Sequence, residues 1–296
     1  MVIKFWGVRG SIPVPGVNTA VYGGNTSCIE IRVEDNVFII DAGSGIRSLG
    51  NDLKKRNKHF EVNLFLTHTH WDHIQGLPFF SPIFDYRYKI NIHGPSMLGK
   101  LRNMVSGQMG YIYFPVKIDD LASYLEFREL NSETFKINDV KISTIYIYHP
   151  TACLGYSFEY QGKKIVTLFD FESEIKKSEI ISGEYFNQMV RIIGKENVLN
   201  EDSILDFAKN ADVLIIDAQY TKEEYKTKKG WGHSSIPSAI NFGIKSGAKK
   251  IILFHLDPER KDEDMMLIEH YLENYFKLKN IKVGVYVARE GMEIQV

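Results

Sequence analysis

The sequence predicts an α/β protein of one domain, with mixed sheets sandwiched by helices. Three observations predict it. Runs such as VFII, VLII and IILF are apolar on consecutive residues, as strands covered on both faces are. Early strand pairs give way to later strand–helix alternation. No low-complexity linker divides residues 1–296, so the chain reads as a single unit despite a length at which two domains would be the crude expectation.

Taken in order, the apolar segments Ile3–Val8, Cys28–Val33 with Val37–Ile40, Val62–Leu66 and Tyr88–His93 read as strands. So do Val140–Tyr148, Gly155–Glu159 with Lys164–Phe169, Val213–Ile216, Ile251–Phe254 and Lys282–Ala288. VKISTIYIY alternates, which is the pattern of a half-exposed strand. Helices are expected around Gly45–Lys55, Ser96–Ser106, Ser173–Asn210, Ser235–Ser246 and Asp262–Leu278. The last opens on an acidic turn and closes near Lys277 and Lys279, as the helix dipole favours. Gly107–Glu126 is aromatic and lacks a period, so a loop or short hairpin is expected there. Phe171–Asn210 reads as a mostly helical excursion, longer than a connection between two strands requires.

Composition narrows the function classes. Lys and Arg number 36 against 37 Asp and Glu, for a net charge of −1, so wrapping nucleic acid by bulk electrostatics is not expected. Lys54–Lys58 and Lys226–Lys229 could touch phosphate but read first as solvated faces. Cys28 and Cys153 form no disulfide framework, which suits a reducing cytosol, and a cytoplasmic location is expected. The first residues lack the apolar stretch of a signal peptide, and the aliphatic runs are too short to span a membrane.

The chemistry concentrates where the strand Val62–Leu66 runs into LTHTHWDH. His68, His70, Asp72 and His73 put three imidazoles and a carboxylate within six residues, a density a surface loop has no structural need for. Imidazole and carboxylate are the ligands that zinc and similar ions prefer. Alternation sends His68 and His70 to one side, while Asp72 and His73 can turn to a second position, a geometry suited to two neighbouring ions. His149, Asp170 and His255 each sit where a strand gives way to a loop, and His233 lies in the loop GWGHSS. His59 and His270 are expected to be solvated, and His93, before Gly94-Pro95, to be turn or core.

These motifs resemble the metallo-β-lactamase fold hydrolases, in particular the phosphodiesterase branch that contains tRNase Z. The resemblance rests on His-x-His-x-Asp-His followed by His149, Asp170 and His255. FWGVRGSIPVPG, YGGNTSC, DAGSGIR, HWDHIQGLPFF, DAQYT, GWGHSS and FHLDP extend it over nearly the whole chain. It implies a four-layer αββα sandwich with the metals at the edge of two mixed sheets. It further implies two divalent ions, Zn²⁺ first, with Mn²⁺ or Fe²⁺ as alternatives. His68, His70 and His149 would hold one, Asp72, His73 and His255 the other, and Asp170 would bridge them. Asp41, ending VFIID, would support the metal loop; the alternative is a solvated turn residue.

The expected reaction is hydrolysis of a phosphodiester by a hydroxide bridging the two ions, which would lie roughly 3.5–4 Å apart. Asp72, His233 and Asp217 are the residues expected to take part in the chemistry itself. His233 would act on the leaving group, because its loop resembles the one that contacts the scissile phosphate in tRNase Z. Asp217, ending VLIID, would orient that imidazole or support the metals; a helix cap is the plain alternative. The bacterial tRNA enzymes carry a protruding arm between the counterparts of His149 and Asp170, and residues 150–169 leave no room for one. A small phosphodiester such as a cyclic nucleotide is therefore expected ahead of nucleic acid, with tRNA 3′ processing or lactone or thioester hydrolysis as alternatives. Related enzymes often form homodimers, and Tyr111–Pro115 is expected to border the active site or complete a neighbour's pocket, with a satellite hydrophobic cluster as the alternative.

Overall fold

The computed structural model describes residues 1–58, 60–96, 100–175, 191 and 201–296. Two seven-stranded sheets form the middle of the molecule. The first contains β1 (Val2–Gly7), β2 (Cys28–Val33), β3 (Asn36–Ile40), β4 (Glu61–Phe65), β5 (Lys89–Pro95), β6 (Tyr124–Leu130) and β14 (Glu293–Gln295), in the order β14-β1-β2-β3-β4-β5-β6. The second contains β7 (Thr134–Ile137), β8 (Val140–Ile147), β9 (Cys153–Tyr160), β10 (Lys163–Leu168), β11 (Val213–Asp217), β12 (Lys250–Phe254) and β13 (Gly284–Val287), in the order β13-β12-β11-β10-β9-β8-β7. Each sheet is half antiparallel and half parallel: β3 to β6 run parallel in one and β10 to β13 in the other.

Side chains explain the layering. Phe38, Phe65, Tyr156 and Phe158 point into the space between the sheets, where their rings lie 5.3–6.3 Å apart in tilted or edge-on pairs. The opposite residues of β3, β4 and β5 (Ile39, Leu64 and Ile92 among them) are covered by α1 (Ile46–Arg56) and α3 (Leu101–Gly107). On the far face of the second sheet lie α4 (Glu201–Ala208), α6 (Ile236–Lys245) and α7 (Asp262–Leu278). The result is the four-layer αββα sandwich. VFII, VLII and IILF are buried throughout, whereas β8 alternates buried and half-buried residues.

Three strands escape the sequence reading: β6, β7 and β14. All three are sheet edges. An edge strand pairs on one side only and is kept polar, so its apolar pattern is weak. β6 (YLEFREL) buries only Leu130, and it occupies the end of a region expected to be loop or hairpin. The remainder, from α3 to β6, runs through turns and a short 3-10 helix at Ile118–Asp120. There Tyr111, Ile112 and Tyr113 are exposed, while Phe114 packs edge-on against Phe79 at 5.6 Å, shortly after the metal-loop sequence. Of the expected excursion Phe171–Asn210, residues 176–190 and 192–200 lie outside the described residues, as does His59. His270 is exposed. His93 lies in β5, buried and stacked on Phe65 at 4.5 Å. Cys28 and Cys153 are free thiols, and burial pushes both well above the usual thiol range.

Candidate metal centre

The parallel strands of both sheets end at one edge of the sandwich, and their ends carry the chemistry-bearing residues. Asp41 follows β3, and the loop 66–73 follows β4 and opens into α2 (Trp71–Ile74). His149 follows β8, Asp170 follows β10, Asp217 closes β11 and His255 follows β12. Asp41, Asp170 and His255 all adopt left-handed backbone, with φ of 62°, 50° and 59°. That conformation costs a non-glycine residue on the order of 1–2 kcal/mol and survives only where the surroundings enforce it.

Among the described residues, three overlapping groups of possible metal ligands result, each with ligand atoms within 4.8 Å of one another; two are built from the seven residues singled out in the sequence, and the third joins Asp170 and His255 to Asp217 and His233. His68, His70, His149 and Asp170 form the first; Asp72, His73, Asp170 and His255 form the second. Asp170 belongs to both: its Oδ2 lies 3.5 Å from His68 Nε2 and 3.7 Å from His149 Nε2, and its Oδ1 lies 3.2 Å from His73 Nε2 and 3.1 Å from His255 Nε2. All these residues are buried except His70, which is exposed and marks the open side. The seven residues singled out in the sequence are thus brought together at one place.

The far nitrogens are held from behind. His73 Nδ1 lies 2.7 Å from Asp41 Oδ2, so Asp41 is buried against the metal loop and is not a solvated turn residue. Asp41 also accepts the Thr67 backbone N–H and hydroxyl, and that hydroxyl lies 3.1 Å from His68 Nδ1. His149 Nδ1 donates to the Gly232 carbonyl at 3.1 Å. His255 Nδ1 lies 3.2 Å from Gln219 Oε1 and 3.4 Å from Asp217 Oδ2. Each ring is therefore oriented with Nε2 facing the centre, the usual function of partners behind a metal-binding histidine.

Charge distinguishes the two groups. Burial pulls His68 well below its ordinary value and His149 down to about 3. Burial also acts to lower His73 and His255, but the carboxylates around them outweigh it. His73 stands well above its ordinary value because of Asp170, Asp72 and Asp41, and His255 is raised to about 9 chiefly by Asp170. Burial would raise Asp72 and Asp170, yet the neighbouring imidazoles hold both carboxyls well below the usual range. The buried carboxylates demand positive charge between them. Three inward atoms (His68 Nε2, His73 Nε2 and Asp170 Oδ1) have no hydrogen-bond partner, although the Asp170 carboxylate lies within 3.5 Å of both imidazoles. Buried polar atoms are normally paired, and convergence without pairing is how ligands around a shared ion are arranged. The donor set fits divalent metal.

His233 Nδ1 lies 2.8 Å from Asp217 Oδ2, and its ring stacks on His255 at 4.8 Å and 14°. Asp217 also accepts the Ser234 N–H at 2.9 Å. One carboxylate thus orients both His233 and His255, which joins the two roles considered for it. The helix-cap alternative fails, because α5 (Lys222–Lys228) is capped by Thr221 and α6 by Ser235.

Sequence reasoning assigned no role to several supports. Ser11 N–H donates to Asp72 Oδ2 at 2.7 Å, and Gln219 Nε2 lies 3.4 Å from Ser11 Oγ. Gly10 lies so close to the His255 ring that a Cβ there would fall 2.3 Å from Cε1. The buried Arg9 ties this segment to the loop after His255, donating to the carbonyls of Asp257 and Arg260. The available signal was the Arg-Gly-Ser run in FWGVRGSIP, a polar turn directly after an apolar strand.

Fold and site together define a metal-dependent hydrolase of the metallo-β-lactamase fold, similar to tRNase Z. The chain belongs to the family of the anti-Pycsar protein Apyc1, whose profile matches residues 16–224. It is 25% identical to a ribonuclease Z of Picrophilus torridus over 99% of this chain and 95% of that one. Among solved structures, the metallo-β-lactamase fold protein YhfI from Bacillus subtilis shares the fold with a TM-score of 0.65, at 14% identity and 99% coverage of both chains. Human tRNase Z, short form, does so with the same TM-score, at 20% identity and covering 100% of this chain and 99% of that one. Among the described residues, no helix is long and apolar enough to cross a membrane.

Proposed function

We propose that the protein hydrolyses a small phosphodiester such as a cyclic nucleotide, using two divalent ions, Zn²⁺ first. His68, His70 and His149 would hold one ion, Asp72, His73 and His255 the other, with Asp170 between them. Ions held there would supply a water of lowered pKa and positive charge for the phosphoryl oxygens. The observation that carries the reading is the His233–Asp217 pair beside the ligand groups. With Nδ1 committed to Asp217, only Nε2 of His233 remains to act on substrate. His233 is edge-on to His149 at 5.5 Å and stacked on His255, so its ring spans both ligand groups. In this position it can give its proton to the departing alkoxide, while Asp217 holds the ring in place through Nδ1. Asp72 would take part by helping to hold the ion on its side of the site.

A small substrate agrees with the connection between His149 and Asp170. It is occupied by the β9–β10 hairpin, closed by the two-residue turn Gln161-Gly162 with φ of 48° and 73°. No arm projects from it. An RNA 3′ end is the second reading, favoured by the near-full-length match to ribonuclease Z. We further propose a cytoplasmic homodimer in which the exposed Tyr111–Tyr113 segment meets the partner.

Metal analysis of purified protein, followed by hydrolysis of bis(p-nitrophenyl) phosphate, cyclic nucleotides and a tRNA precursor, tests the reading. Two ions per chain and preferred cleavage of a cyclic diester are expected; a single ion with full activity, or preference for the tRNA precursor, would overturn it. His233→Ala should lose about 10²–10⁴-fold on an alkoxide-leaving diester while keeping its metal. The loss should shrink for p-nitrophenolate, which leaves without a proton. Metal loss or equal losses would give His233 another role.

A further inference from the structure

Glu172 is buried, lies two residues beyond Asp170, and has no part in either ligand group. Its Oε1 accepts the Tyr225 hydroxyl at 2.8 Å and the Gly230 N–H at 2.8 Å, and its Oε2 accepts the Gly232 N–H at 2.9 Å. A buried carboxyl is costly unless its oxygens are hydrogen-bonded. Here the donors come from one short loop and the helix before it, α5. That loop runs from Gly230 to Ser235 and carries His233.

The loop is also the backing of a proposed metal ligand. Gly232 sits at φ +91°, and a Cβ on it would fall 2.2 Å from His149 Nδ1, so the backbone lies directly against that ring. Its carbonyl accepts from the same Nδ1. One peptide segment therefore gives its N–H to Glu172 and its C=O to His149, and the next residue is His233. The chain around Glu172 is anchored on the other side, since its N–H donates to the carbonyl of Tyr148 at 3.1 Å. Stitching continues outward: the Ser234 hydroxyl donates to the Phe171 carbonyl, and Ser173 N–H donates to Ser234 Oγ at 2.9 Å.

We propose that Glu172 is a positioning residue for the reaction: its carboxyl group holds the 230–233 loop in the conformation that fixes the tautomer of His149 and aims His233 at the leaving group. The proposal rests on the reading of His233 given above. Glu172 does not touch substrate or metal. It acts by denying the glycine loop its other conformations. A loop with glycines at 230 and 232 samples many backbone states unless its N–H groups are tied down. Loss of the tie would leave His149 Nδ1 without its acceptor and let the His233 ring swing from Asp217.

Four readouts separate this role from general support of the fold. Glu172→Gln keeps the side-chain shape but turns one acceptor into a donor that faces N–H groups. It should melt near the wild-type temperature, yet Gly230 and Gly232 should exchange their amide hydrogens faster, with exchange elsewhere unchanged. Zinc affinity, read by competition with a chromophoric chelator, should fall about 10–100-fold, as loss of a support behind a metal ligand does. Hydrolysis should fall further on an alkoxide-leaving diester than on bis(p-nitrophenyl) phosphate. Combined with His233→Ala, the excess loss on the alkoxide-leaving diester should vanish, because residues acting through one group are not additive. Unchanged loop exchange, equal losses on both diesters, or a fully multiplicative double variant would overturn the proposal. If His233→Ala itself loses equally on both diesters, the leaving-group reading fails, and loop exchange with zinc affinity decides the Glu172 role alone. Should Glu172→Gln not fold, Tyr225→Phe removes a single donor and must show the same pattern at smaller size.

Discussion

The two ligand groups share Asp170 but differ in composition and support: three imidazoles complete the first, two imidazoles and Asp72 the second. Behind His68 stand the Thr67 hydroxyl and, at 3.7 Å, the Cys153 thiol; behind His149 stands a backbone carbonyl. Behind His73 stands the Asp41 carboxylate, and behind His255 the Gln219 amide and Asp217 carboxylate. Burial leaves His68 and His149 with lowered proton affinity; it acts the same way at His73 and His255, but Asp170 and Asp72, with Asp41 and Asp217 behind the rings, outweigh it there. A carboxylate behind an imidazole also makes it a stronger metal ligand. We propose on this basis that the Asp72–His73–His255 group would hold an ion more firmly than the group with the exposed His70. The lesson is that the carboxylates facing an imidazole and those behind it together set its charge.

The comparison can be broken most completely at the open side. His70→Ala should remove most of the metal from its group and essentially all hydrolysis while leaving the sandwich folded, since His70 contributes nothing to the buried core. Metal content and far-UV circular dichroism check this. A variant that kept both metal and activity would show that the open group is dispensable.

His93 gives the contrast its third case, a buried imidazole with no carboxylate partner among the described residues. Its Nε2 lies 3.3 Å from the Asn63 amide oxygen; burial, helped by Arg128, pushes it down to about 4. Between pH 6.5 and 4 the unfolded chain binds a proton at His93 that the folded chain does not. Stability therefore falls as pH drops through that window, by up to about 3 kcal/mol, and the contribution is flat below it. Urea midpoints across this range should be steeper in pH for the wild type than for His93→Phe. Identical slopes would remove His93 from the comparison.

The smallest effect should come from the support itself. Asp41→Asn keeps the shape but replaces a charged partner of His73 with a neutral one. We expect metal affinity to drop about 10–100-fold in the second group and little in the first. Stepwise chelation should then strip both ions at similar chelator concentration, where the wild type loses the open-side ion first. Equal loss from both groups in the wild type would refute the idea that carboxylate support divides them.

Legibility in the sequence followed locality. LTHTHWDH could be read because its chemistry is compressed into six consecutive residues next to an apolar run. His149, Asp170, Asp217 and His255 could be read because each ends a buried strand, where side chains meet a common edge. The edge strands β6 and β7 could not, because their polar residues carry little apolar pattern. Asp217 was visible as a strand-end carboxylate, but its division between His233 and His255 was not, since that depends on how two loops meet.

The sequence by itself determined which residues could bind metal and on which strand ends they stand. Apolar runs specify buried strands through burial alone, and a strand end specifies where its next polar side chain emerges. Only the tertiary structure decided what supports each ligand. Asp41 and His73 are 32 residues apart, and Gly232 and His149 are 83 apart. Glu172 reaches Gly232 across 60 residues. No local pattern selects such partners. They meet because two sheets stack with their parallel ends at one edge, and there a buried polar atom must take whichever donor or acceptor the fold brings within about 3 Å.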